Sequence, residues 1–269
     1  MLLPLANRRL AYDLVGPDDA PVVCITHSLA SDGGSWTDQL PGLLAAGFRM
    51  LRLDMRGHGG SDPVPGNYTM RALADDIAAV LEGLSIRRCH YIGLSIGGMI
   101  GQAFALAHPE RLLSAMWCDT LPCSPSAAAS VWRERMAVVK NANSLEPIAD
   151  GTMDRWFTEA FKGRRPGRWK QIRDTVAATS PVGYLGCCEA ILDFDFVSQL
   201  PGVRLPVLVL CGDSDPGTPP AENRRIASLV PGARYEEIGD ARHFPNVERP
   251  EAFNRIMLDW LDAQRSRAS

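Results

Sequence analysis

No apolar run in these 269 residues approaches the ~20 needed to cross a bilayer, which argues against a membrane span. Met1 to Leu5 is apolar but short, and its charges, Arg8 and Arg9, follow it rather than precede it. That order does not fit a secretory signal, so a cytoplasmic location is expected. The chain also lacks any CxxC pair among its seven cysteines. Cys118 and Cys123 stand apart from His and other Cys, and adjacent Cys187 and Cys188 bridge each other only under strain. Zinc is therefore not expected, and reduced, mostly buried thiols are. Nor is there an excess of one charge. Twenty-eight Lys and Arg against 31 Asp and Glu leave a net −3, too balanced for an electrostatic nucleic-acid binder. One basic cluster, Lys162, Arg164, Arg165, Arg168 and Lys170, is interrupted by Gly163, Pro166 and Gly167 and reads as a solvated loop. Internal repeats and low-complexity segments are absent as well.

What remains is ordinary globular composition, 46% hydrophobic and 22% charged, with length for one core plus a smaller unit. Val22 to Thr26, Met50 to Leu53 and His90 to Leu94 are short runs apolar on both faces, the pattern of strands inside a parallel sheet. Met70 to Leu84 lies between them behind Thr69, an N-cap residue, with Leu73, Ile77, Val80, Leu81 and Leu84 at helical spacing. Ile96 to Ala107 is a second helix of small and apolar residues, followed by a strand over Leu112 to Cys118. The strand signature resumes at Val207 to Cys211 and Arg234 to Ile238 around a helix near Ala221 to Leu229, and Glu251 to Leu261 closes the chain as a helix. Leu2 to Leu5 and Leu10 to Val15 read as an antiparallel edge hairpin. Such alternation predicts a doubly wound α/β fold with a mostly parallel sheet flanked by helices. From Leu121 to about Leu200 the strands vanish and aromatics sit among helical segments. The expected organisation is one core, 1–120 and 201–269, with a helical cap inserted over 121–200.

Gly93-Leu94-Ser95-Ile96-Gly97 is a GxSxG pentapeptide that follows a strand and opens a helix. A chain turning that sharply holds its serine in a strained conformation with the hydroxyl outward, and side chains at 93 or 97 would collide across the turn. Ser95 is thus the candidate nucleophile, above the positive end of a helix. A serine hydroxyl needs a base, and five histidines compete. His108 ends a helix, His90 lies in a strand, His58 is in a polar loop and His27 ends the first core strand. His243 follows the last strand, at the carboxyl edge that also carries Ser95, and is the candidate base. For the acid, Asp215 is preferred, because Gly212 and two further residues let the chain curl toward the site. Asp213, a candidate loop brace, and Asp119, after the strand ending at Cys118, stay open. The oxyanion donors are expected to be the backbone N–H groups of Ile96 and Leu29.

With these residues in place the chain resembles the α/β-hydrolase superfamily over nearly its whole length, and Ser95, Asp215 and His243 follow the order that fold uses. Asp54-Met55-Arg56-Gly57-His58-Gly59-Gly60-Ser61 looks like that family's DxRGxGxS turn, chiefly structural there, so Arg56 and His58 take no catalytic role. Within the superfamily the chain is most similar to 3-oxoadipate enol-lactone hydrolases. Ser28-Leu29 with Asp32 and Trp36, Gly93 to Gly98, Arg155-Trp156-Phe157-Thr158 and Cys188-Glu189-Ala190-Ile191 carry that likeness. So do Gly232-Ala233-Arg234-Tyr235 and Asn246-Val247-Glu248-Arg249. Two features depart from it: His27 stands where these lactonases usually have Asn, and Cys123 to Ser130 is unusually rich in Ser and Ala. The resemblance implies hydrolysis of a small-molecule ester or lactone through an acyl-enzyme, with no cofactor and no metal. It also implies a cap cation for a carboxylated substrate, for which Arg135 is the candidate, with Trp132 and Trp156 beside it. C–C bond hydrolysis of ring-cleavage products and a triad-bearing signalling receptor are the competing readings. A nucleophilic Asp is disfavoured because Ser95 occupies that position, and a homo-oligomer stays open.

Overall fold

Strands whose residues are buried on both faces need helices on both sides, and the chain alternates accordingly. The computed structural model describes residues 1–124 and 128–265. A hairpin of β1 (Leu2–Leu5) and β2 (Arg8–Val15) leads into β3 (Val22–Thr26), helix α1 (Leu40–Ala45) and β4 (Arg49–Leu53). Helix α2 (Met70–Gly83), β5 (Cys89–Leu94), α3 (Ile96–Ala107) and β6 (Leu112–Cys118) follow. Among the described residues, five α-helices then precede the next strand: α4 (Ala129–Ala142), α5 (Glu146–Trp156), α6 (Glu159–Arg164), α7 (Pro166–Ala178) and α8 (Pro181–Leu192). The last part comprises β7 (Val207–Gly212), α9 (Pro220–Leu229), β8 (Arg234–Ile238), the short α10 (Pro245–Glu248) and α11 (Pro250–Ala263).

The eight strands described form one sheet in the order β1-β2-β4-β3-β5-β6-β7-β8, with the β1–β2 and β2–β4 pairings antiparallel and the rest parallel. Every residue of β3, β5, β6 and β7 is buried. Order reverses at β3 and β5, where the crevice of an open sheet forms at the carboxyl ends. Thr69 caps α2 by accepting the Ala72 N–H at 3.1 Å, and Leu73, Ile77, Val80 and Leu81 face the core. Among the described residues no helix is long and apolar enough to cross a membrane.

The basic cluster corrects the sequence reading. Lys162 and Arg164 lie on α6, and Arg168 and Lys170 on α7, rather than in a loop. Pro166 is no breaker there because it occupies the first helical position, where its missing N–H has no partner to lose. The part of the Ser/Ala-rich segment at 125–127 lies outside the described residues.

Helix α8 reaches the turn after β4 backbone to backbone. A Cβ on Gly183 would sit 2.5 Å from Gly57 Cα, so only glycines allow that approach. The turn itself is held by Asp54, whose carboxylate accepts the N–H groups of Gly33 at 2.8 Å and Gly60 at 3.0 Å. Arg56 is paired with Asp76, which also holds Arg8. These contacts support the structural role expected for this turn.

Candidate active site

Ser95 sits between β5 and α3 with φ 60° and ψ −118°, a conformation unfavourable for a residue with a Cβ. The surroundings enforce it. A Cβ on Gly93 would lie 2.2 Å from the Gly97 carbonyl oxygen, and one on Gly97 would lie 2.8 Å from that of Thr26. Ser95 N–H donates to Cys118 O at 2.8 Å, and Thr120 Oγ1 donates to Ser95 O at 2.8 Å, so β6 clamps the turn from the side. The side chain opens into a cavity of about 300 Å³. Leu29, Trp132, Arg135, Trp156, Asp215 and His243 line the same cavity. A wider groove of about 560 Å³ runs past Asn67, Met136 and Leu185, but neither serine nor histidine lines it.

Asp215 and His243 come from the loops after β7 and β8. His243 Nδ1 donates to Asp215 Oδ2 at 2.7 Å, which leaves Nε2 as the free ring nitrogen. Asp215 Oδ1 accepts the N–H groups of Gly217 at 2.8 Å and Thr218 at 3.2 Å, and Thr218 Oγ1 donates to Oδ2. Burial alone would push this carboxyl up. His243, the Thr218 hydroxyl and the Gly217 N–H outweigh it and hold Asp215 down at about 2. No hydrogen bond joins Ser95 to His243 among the described residues. In a substrate-free site such contacts are often loose and close only around substrate.

The two other acids behave differently. Asp213 is exposed and accepts from Ser214 Oγ at 2.9 Å and the Ala241 N–H at 3.4 Å, bracing the two loops. Asp119 is fully buried and accepts the Gly212 N–H at 2.9 Å. Burial first, and then the charge of Asp215, push its carboxyl well above the usual range. Asp119, Asp215 and His243 do offer ligand-type atoms within 4.8 Å of one another. Asp215 and His243 are already joined to each other by a hydrogen bond, which a metal ion would have to break, so the cluster is a poor metal cage.

The N–H groups of Leu29 and Ile96 donate to no acceptor among the described residues. Ile96 opens α3, where the first N–H groups lack partners within the helix. The remaining histidines are engaged elsewhere. His90 is buried on Ser114 Oγ at 2.9 Å, and His108 contacts Asp75 at 2.7 Å. His58 is neutral, held down at about 3 by burial and then by the neighbouring His27.

Around Arg135 and Trp156, both candidates from the sequence, lie contributors that were not anticipated from it. Arg135 Nη2 donates to Thr152 Oγ1 at 2.9 Å and its Nε to Tyr184 Oη at 3.4 Å, while Arg155 reaches the same threonine hydroxyl at 3.4 Å. Neither arginine is paired with a carboxylate among the described residues. Trp156 stacks on the His243 ring at 6.4 Å between centroids and 27° between planes. Glu248, buried in α10, accepts the Arg242 N–H at 3.0 Å, the Thr158 N–H at 3.0 Å and the Thr158 hydroxyl. It therefore ties the end of α5 to the loop that carries His243. The stretches Arg155 to Thr158 and Asn246 to Arg249, separate in sequence, are one contact in space. Thr218 had a visible signal, since Asp-x-x-Thr is a spacing at which a side-chain carboxylate meets the N–H groups two and three residues on.

Residues 21–250 match the family model described as alpha/beta hydrolase fold. The chain is 32% identical over 248 residues to 3-oxoadipate enol-lactonase 2 of Acinetobacter baylyi, covering 92% of this chain and 91% of that one. Its structure is similar to that of an enol-lactonase from Burkholderia xenovorans, with a TM-score of 0.93 and 34% identity over 97% of this chain and 100% of that one. A hydrolase from Pseudomonas aeruginosa superposes with a TM-score of 0.92 at 35% identity, covering 97% of each chain.

Proposed function

We infer that this chain, which belongs to the α/β-hydrolase family, is a serine hydrolase that cleaves a small carboxylic ester or lactone carrying its own carboxylate. The observation that carries the reading is the bonded Asp215–His243 pair lining one cavity with the Ser95 turn. Ser95 Oγ attacks the carbonyl carbon, and His243 Nε2 takes its proton as the C–O bond forms. The Leu29 and Ile96 N–H groups receive the developing oxyanion. Collapse of the tetrahedral intermediate expels the alkoxide or enolate, which the His243 imidazolium protonates. Water then attacks the acyl-enzyme with His243 again as base.

Arg135 and Arg155 supply the substrate preference. Two guanidinium groups meeting at one buried hydroxyl without a carboxylate partner repel each other, and an anionic group on the substrate relieves that repulsion. Trp132, whose ring lies 6.0 Å from the Arg135 guanidinium carbon, and Trp156 are read as walls for the carbon skeleton. The helices α4–α8 serve as a cap over the site, the unit expected over 121–200. The likeness to two enol-lactonases supports a carboxylated enol-lactone as the substrate.

The test compares such a lactone with p-nitrophenyl acetate, a neutral ester. Arg135→Gln is expected to raise KM for the lactone by roughly 10- to 100-fold, the worth of one charge-assisted hydrogen bond, and to leave KM for the neutral ester unchanged. Equal effects on both substrates would remove the anion from the reading. Turnover of a vinylogous diketo acid in place of the lactone would favour C–C hydrolysis.

A further inference from the structure

Two buried histidines stand outside the mechanism above, one at the end of β3 and one in the turn after β4. His27 Nδ1 donates to the Ser28 carbonyl at 2.8 Å, while its Nε2 accepts the Met55 N–H at 3.0 Å. His58 answers in the opposite direction. Its Nε2 accepts the Ala30 N–H at 3.0 Å, and its Nδ1 donates to the Arg56 carbonyl at 3.0 Å. Each imidazole thus bonds both to its own loop and to the other's, with the ring centroids 5.4 Å apart. A backbone N–H facing Nε2 requires a lone pair there, so both rings are neutral with the proton on Nδ1.

The peptide planes give this staple its meaning. The Ser28 carbonyl and the Leu29 N–H belong to one rigid peptide unit and point in opposite directions. Fixing the carbonyl therefore aims the N–H. The Ser28 oxygen is held twice, by His27 Nδ1 and by the Ser31 N–H at 3.2 Å. The next peptide unit, between Leu29 and Ala30, is held by the bond from the Ala30 N–H to His58. Ala30 sits at φ 60°, where a residue with a Cβ needs such outside support. Both peptide units flanking Leu29 are consequently pinned by an imidazole.

We propose that His27 and His58 are positioning residues for the oxyanion hole, acting as a reciprocal staple that aims the Leu29 N–H at the substrate carbonyl oxygen. The proposal rests on the hydrolase reading above and extends it to residues that touch no substrate. An effect confined to the oxyanion is worth most in the transition state, so it falls on kcat rather than KM.

Side-chain geometry supplies matched variants. The amide nitrogen of Asn can overlie Nδ1 but reaches no further, whereas the Gln side-chain oxygen can reach the position of Nε2. His58→Asn discards the acceptor for the Ala30 N–H and His58→Gln restores it. His27→Asn keeps the donor to the Ser28 carbonyl and His27→Ala loses it.

The experiment measures p-nitrophenyl acetate kinetics and inhibition by a small alkylboronic acid, whose adduct with Ser95 places an oxygen in the hole. Wild-type turnover that Ser95→Ala abolishes secures the hydrolase reading first, and its absence would sink that reading rather than the staple. His58→Asn and His27→Ala are then expected to lose roughly 10- to 100-fold in kcat with little change in KM, somewhat less than deletion of an oxyanion donor. Boronate affinity should weaken in parallel, and His58→Gln and His27→Asn should recover most of both. If the disruptive variants do not fold, the two conservative ones still decide, because losses in either as large as for a deleted donor would overturn the staple. Folded His58→Asn and His27→Ala proteins with wild-type kcat and boronate affinity would overturn it equally.

Discussion

Ser95→Ala is expected to lower kcat/KM for any accepted ester by roughly 10⁴-fold or more while leaving the fold intact. Alanine keeps the Cβ and so keeps the positive-φ conformation that Gly93 and Gly97 permit around it. It removes only the hydroxyl. The cavity, the Leu29 and Ile96 N–H groups and the Asp215–His243 pair all persist, but the attacking atom is gone and water must replace it. Substrate binding should therefore survive, visible as competitive inhibition by product acid or as calorimetric binding of the lactone. Loss of binding together with turnover would point to a folding defect instead.

Asp215→Asn is the second large effect, with an expected fall of roughly 10³- to 10⁴-fold in kcat. The local hydrogen bonds decide which way the new amide points. Two backbone N–H groups, from Gly217 and Thr218, converge on the position of Oδ1. The amide oxygen must occupy that position, since an NH₂ there would set two donors against two more. The NH₂ then faces His243 Nδ1 and donates to it. The imidazole responds by carrying its proton on Nε2, the nitrogen that should accept from Ser95. The variant is folded and correctly shaped, with a base in the wrong tautomer. Because Asp215 is held down at about 2, its own titration does not set an acid limb of the wild-type rate above that pH. Wild-type kcat in the Asn variant would mean that Asp119, the acid after β6, is the true partner.

That contest between acids marks how far the sequence carries. The core strands and the helices after β4 and β5 were legible because burial on both faces and helical spacing are local patterns. The Ser95 turn was legible for a related reason, since Gly93 is required by contacts within five residues, although Gly97 is required by Thr26 and His27 at the end of β3. Asp215 could only be preferred, because the features that separate it from Asp119 are not local. A hydrogen bond to His243 and a nearly saturated set of donors distinguish one, and burial beside an existing charge the other. Glu248 and Thr158 lie ninety residues apart, and no periodicity signals that a carboxylate in a short helix will receive the backbone N–H of a distant segment. The basic stretch at 162–170 misled for the opposite reason. Gly163, Pro166 and Gly167 are poor helix interiors, yet Pro166 begins α7 and leaves both flanking helices intact.

His27 and His58 illustrate a further limit. In sequence they were a departure from the lactonase pattern and a member of a structural turn, and only their crossed hydrogen bonds connect them to Leu29. Arg155 was likewise visible as part of a matching stretch, but its convergence with Arg135 on Thr152 depends on how α4 and α5 pack.

Covalent trapping tests Ser95 as the nucleophile without any assumption about the natural substrate. Incubation with a fluorophosphonate should add one phosphonyl group per chain by intact mass, map to the peptide carrying Ser95, and abolish esterase activity in step. An enzyme that hydrolyses esters yet carries the adduct on another residue, or remains unmodified at Ser95 as activity disappears, would contradict the account.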